Sequence, residues 1–240
     1  MNLTAAIYRH GPFFFSLLLL MALLGFWVSY FARLGHDTVF LEHLHGLAMF
    51  GWCLLLIAQS TLIRRGRKSL HRFLGRVSYF WVPLIAFSTL WLASYKLSGR
   101  GLSAEGTFLL AIQIFLLIQL LWFYGLAISN RKMPARHARY MLCTALPLID
   151  PILARILFVG LSSVVENLTA YLQLISFGFT DLLVVALLWL EGDSELKKIW
   201  QFALVILLLT QLPVLLLGYL EPWQIAWRSV AQLFLGWPTH

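Results

Sequence analysis

The sequence predicts an all-α membrane protein: a polytopic bundle of seven transmembrane helices followed by a C-terminal amphipathic helix at the interface. Three observations carry this. The 240 residues are 60% hydrophobic and only 12% charged, with a mean hydropathy of +0.82, whereas a soluble domain carries about 25% charged residues. The apolar residues form runs long enough to span a bilayer, roughly 20 residues each. The basic residues crowd into every second loop. The runs are continuous rather than alternating, which excludes a transmembrane barrel, and open strands cannot cross a bilayer with their backbone groups unpaired. No stretch is polar enough for a soluble domain, so residues 1–240 read as one transmembrane domain.

The spans follow in order at 12–33, 44–63, 73–96, 107–128, 138–160, 169–190 and 200–220. The first resembles a signal peptide, but its apolar stretch exceeds the usual core of about 7–15 residues, and it reads as a retained span. The second and third are joined by the most basic loop, with Arg64, Arg65, Arg67, Lys68, Arg72 and Arg76. The fourth and fifth are joined by a loop with Arg131, Lys132, Arg136 and Arg139; the sixth and seventh by one with Lys197 and Lys198. With Arg9 these make 13 of the 18 Lys and Arg residues, against four (Arg33, Lys96, Arg100 and Arg228) on the opposite side. The bias puts the N-terminus in the cytoplasm and the C-terminus outside. In the tail, Trp223, Trp227, Val230, Phe234 and Trp237 recur at helical spacing, as in an interfacial helix with indole rings at headgroup depth.

The net charge of +8 does not imply nucleic acid, because no module presents the basic runs. The partners it implies are membrane lipids, with anionic headgroups at the inner face. A membrane-protein partner or a homo-oligomer is also open. Cys53 and Cys143 fall in apolar stretches without CxxC spacing and read as buried free thiols.

Histidines are the first candidates for chemistry, since imidazole ligates haem iron or transition metals and titrates near neutral pH. His71 and His137 each open a span at the inner surface, where they could be paired axial ligands of a haem b. Their junctions, RKSLHRFLGRVSYFWVPLI and RKMPARHARYMLCTALPLI, are alike enough to raise a parallel duplication. His45 lies at the outer end of its span, where it and His43 could share a transition metal with His36, Asp37, Glu42, Glu105 or Glu166. His45 also sits in HGLAMFGW, on a face of small residues suited to close helix approach. Neither HExxH nor CxxCH is present.

Charges within spans are the second candidates, because a charge near the bilayer centre costs a few kcal/mol and needs a partner. Asp150 and Arg155 lie in the fifth span and Asp181 in the sixth. Five residues set Asp150 and Arg155 about 140° apart on an ideal helix. By depth, Gln119 should lie near Asp150 and Gln113 near Arg155, completing a buried polar network. Asp150-Pro151, a helix break beside a carboxylate, fits a carrier's midplane site.

HG at 45–46, GWxxLLxxQ at 51–59, RRGRxxLHRxLGR at 64–76, HARYML at 137–142 and DPxxAR at 150–155 together resemble a bacterial family of small multi-span inner-membrane proteins of unknown function. The resemblance covers about residues 43–160 and implies a bacterial inner-membrane location. A looser likeness is to transmembrane b-type cytochromes and ferric-reductase-like bundles, which hold haem between histidines on neighbouring helices. This chain lacks two histidines 13–14 apart on one helix, which argues against two haems. The leading expectation is a haem- or metal-binding membrane redox protein. The alternatives are a small-molecule or proton-coupled transporter or sensor using Asp150, Arg155 and Asp181, and a membrane accessory or assembly protein.

Overall fold

Long apolar segments can satisfy their backbone groups inside a bilayer only as helices, and the chain consists of them. The computed structural model describes residues 3–35, 38–161, 168–217 and 220–235, the side chains of 168–170 excepted. The helices are α1 (Leu3–Gly25), α2 (Phe40–Arg64), α3 (Lys68–Arg100), α4 (Ala104–Ser129), α5 (Pro134–Cys143), α6 (Leu146–Leu161), α7 (Leu168–Leu190), α8 (Ser194–Leu216) and α9 (Glu221–Leu235), with a 3-10 turn at Phe31–Arg33 before α2. Seven helical segments are long and apolar enough to cross a membrane, α5 and α6 together forming the fifth, Pro134–Leu161. The protein is an all-α polytopic bundle. The loops at 65–67, 130–133 and 191–193 lie at one end with the start of α1; this is the basic end.

The first span is displaced from its expected place, starting at Leu3 and ending at Gly25. Its polar opening residues continue the helix, with Pro12 inside it. After Gly25 the chain turns back through Tyr30 N–H to Phe26 O, 2.9 Å, and Ala32 N–H to Trp27 O, 2.8 Å. At Gly25 a Cβ would stand 2.9 Å from the Ile152 carbonyl oxygen, so glycine permits the close crossing of α1 and α6. Gly51 does the same for α2 and α3: a Cβ there would lie 2.1 Å from Trp81 Cζ2. The Trp81 indole donates to Ala48 O at 2.8 Å.

The fifth span breaks at Thr144–Ala145. Pro147 explains the position, since its ring lacks the N–H that would bond Cys143 O and crowds that carbonyl. Pro151 sits inside α6 without a second break. The tail helix does not lie loose at the surface. Trp227 is buried, stacks on Phe115 at 5.6 Å, and donates to Thr107 O at 2.8 Å. Ser94 Oγ donates to Phe234 O, joining α9 to α3. Trp237 of the expected stripe lies outside the described residues. Cys53 and Cys143 are free and buried.

Candidate functional site

His71 and His137 stand one turn into α3 and α5, at the basic end. The structure brings their rings to 6.4 Å between centroids, with planes 87° apart. Each ring faces back to the helix before it: His71 Nδ1 lies 3.4 Å from Gln59 O, and His137 Nδ1 lies 2.8 Å from Ala127 O. A carbonyl only accepts, so both Nδ1 atoms carry the hydrogen and both Nε2 atoms keep a lone pair. Metal-ligating histidines are commonly oriented this way. Gln59 Nε2 returns a bond to His71 O at 3.1 Å, while Gln59 Oε1 is buried with no partner. The two histidine junctions are thus alike in geometry as in sequence.

Beside this pair lies a constellation that sequence reasoning missed. Arg139, counted as one more loop cation, is fully buried, and its Nε donates to Glu191 Oε2 at 2.6 Å. Its Nη2 donates to Thr4 Oγ1 at 2.9 Å and its Nη1 to Ala135 O at 2.9 Å. The Trp200 indole donates to the same Glu191 oxygen at 3.2 Å. Burial works against the Glu191 charge, but the bonds from Arg139 and Trp200 prevail and hold its carboxyl below the ordinary value. The available signal was Glu191 at the very end of the sixth span, ahead of Asp193 and Glu195, in a chain whose other inner loops carry only cations.

The expected buried network does not assemble as one. Asp150 is buried, and its Oδ1 accepts from Gln173 Nε2 at 2.7 Å, not from Gln119. Gln119 instead donates to Thr210 Oγ1 on α8 at 2.7 Å. Gln113 turns onto its own helix, donating to Leu109 O at 3.1 Å. Beside Asp181, Gln211 donates to Thr180 Oγ1 at 3.5 Å, and Asp181 Oδ1 is buried without a partner. Arg155 makes no ion pair among the described residues; its Nη1 donates to Pro151 O at 2.9 Å and its Cζ lies 4.3 Å over the Phe26 ring. Equal depth did not bring these groups together, because helix rotation turned them toward different neighbours.

The described members of the expected outer metal site turn to other partners. Both ring nitrogens of His43 are occupied, Nδ1 by Tyr30 OH at 2.9 Å and Nε2 by Thr38 Oγ1 at 3.0 Å. Glu42 takes the Lys96 ammonium and Glu105 the Arg100 guanidinium. His45 turns instead to α3, with Nδ1 3.3 Å from Ser88 Oγ and 3.5 Å from Thr89 Oγ1. Among the described residues no three His, Cys, Asp or Glu come together as a metal site. His36, Asp37 and Glu166 lie outside the described residues. Compared with protein-family models, curated proteins and solved structures, the chain matches none.

Proposed function

We propose that the chain is a membrane redox protein that binds a haem through His71 and His137, with the basic end facing the cytoplasm of a bacterial cell. The observation that carries this reading is the meeting of two imidazoles from separate hairpins, in the same tautomer, 6.4 Å apart. With metal–nitrogen bonds of about 2 Å, two imidazoles on opposite sides of one ion have ring centres roughly 6 Å apart. A bare ion fits less well, since it takes three or four protein ligands and only two are at hand. A haem would bring four nitrogens of its own, and His71 and His137 would be the residues that hold it. Arg72, beside His71 in the sequence, would offer a cation to a haem propionate.

When bound, the haem supplies one-electron chemistry. The chain's own part is positioning. Gln59 O and Ala127 O hold the two rings by Nδ1, and the Gln59 amide ties its helix to the start of α3.

The test is a visible spectrum of the protein purified from membranes and titrated with haemin. A Soret band is expected that His71→Ala and His137→Ala each abolish and His43→Ala leaves in place. A protein that stays colourless after haemin addition, or a band indifferent to both variants, would end this reading. Reporter fusions after residues 68, 135 and 196 should all report cytoplasm.

A further inference from the structure

At the opposite end of the bundle, Arg155 makes no ion pair with any described residue; its contacts are with Pro151 O and the Phe26 face. Its side chain is partly buried within α6. A guanidinium has five N–H donors and no acceptor. One bond goes to Pro151 O, a turn back on its own helix, and the flat face rests on Phe26. That arrangement fixes the plane and leaves the edge of the fork unused by any carboxylate among the described residues. Asp150 is close enough for its charge to be felt; its Oδ1 accepts from Gln173 and not from the guanidinium.

The second group is His45 of α2, within electrostatic reach of Arg155. The Ser88 and Thr89 hydroxyls both donate to Ile85 O, at 3.0 and 2.7 Å. Their oxygens therefore accept from His45 Nδ1–H, and Nε2 is left over. His45 and Arg155 thus stand on different helices of the outer half, near enough for the charge of one to be felt at the other. A charge in an apolar span is costly unless it is compensated.

We propose that Arg155 anchors an oxyanion-binding site, with His45 close enough to influence it. The fork takes two oxygens of a carboxylate or phosphate side by side. This site is independent of the His71–His137 pair. The same chemistry has two sources, a free anion in solution or the phosphate of a lipid headgroup.

Thermal unfolding of delipidated protein in detergent, with acetate or inorganic phosphate against chloride at equal ionic strength, tests the free anion. Native mass spectrometry from phosphatidylcholine nanodiscs containing phosphatidylglycerol tests the lipid. A saturable rise in midpoint with acetate or phosphate, or selective retention of phosphatidylglycerol, is expected. Either should weaken at least tenfold in Arg155→Gln and less in His45→Gln. It should be unchanged in Arg100→Gln, whose guanidinium is exposed beside Glu105. Arg155→Lys keeps the charge but loses the fork, and should bind about tenfold more weakly. That variant decides the matter if Arg155→Gln does not fold. Equal midpoints in all three salts together with no selective lipid retention overturn the site, and so does undiminished binding by Arg155→Lys.

Discussion

Arg139 and Arg155 lie on the two halves of one broken span, yet the structure treats them in opposite ways. Arg139 is enclosed, with an acid, a hydroxyl and a carbonyl on its nitrogens. Its carboxylate partner receives a further indole N–H. Those bonds join the start of α1, the start of α5, the turn after α7 and the beginning of α8. Arg155 has one helix carbonyl, an aromatic face and open donors. A saturated buried charge holds helices together, because every neighbour is already committed. An unsaturated one has capacity left for something from outside.

The largest effect that sharpens this contrast is expected from Arg139→Ala. It leaves Glu191 buried and unpaired, which costs about 3–5 kcal/mol, seen as a collapse of folded yield in detergent. Replacing both members, Arg139→Met with Glu191→Leu, should recover most of the loss. If the single variant unfolds no more readily than Arg155→Met, the contrast fails.

Next comes Gln173→Leu, which strips the donor from buried Asp150 and should cost about 1–3 kcal/mol. Gln113→Leu, removing only a bond within one helix, should be nearly silent in the same melts. Arg155→Met should cost about 1 kcal/mol, the worth of one hydrogen bond and one cation–π contact. A loss as large as that of Arg139→Ala would mean that the open arginine is a structural one.

The smallest expected effect is a dependence on acid. The Glu191 carboxyl titrates below its ordinary 4.5 in the folded protein. Its contribution is therefore complete above about 4.5 and is lost as pH falls through the folded value. Glu191→Gln should remove that part of the slope in unfolding midpoints measured from neutral to acid pH. An unchanged slope would place the acid sensitivity elsewhere.

The seven spans were legible because hydropathy depends on composition over some twenty residues and not on partners. The approach of His71 and His137 was legible because both open spans at the same end. Depth, however, is one coordinate of three. Gln119 matches Asp150 in depth but faces Thr210, and Gln173 takes its place, since rotation about each helix axis depends on packing. Arg139 was misread for a related reason. In a loop with three other cations, nothing local marks the one that α8 and the start of α1 will enclose. The break at Thr144–Ala145 was announced by proline, but Pro147 sets its place and not the Asp150-Pro151 pair.

The 33 residues of α3 make about 50 Å of helix, against a hydrocarbon core about 30 Å thick. From Arg76 to Lys96 the helix rises roughly 30 Å, so its charged flanks are spaced like the two surfaces of the membrane. Beyond them the ends project into the headgroups, while α9 is fastened just inside the outer flank, where Ser94 donates to Phe234 O. The helix is in effect a gauge of membrane thickness. In a thinner bilayer such a helix is accommodated by tilting, kinking or local thickening of the lipid, and Ser94 ties the tail helix to it.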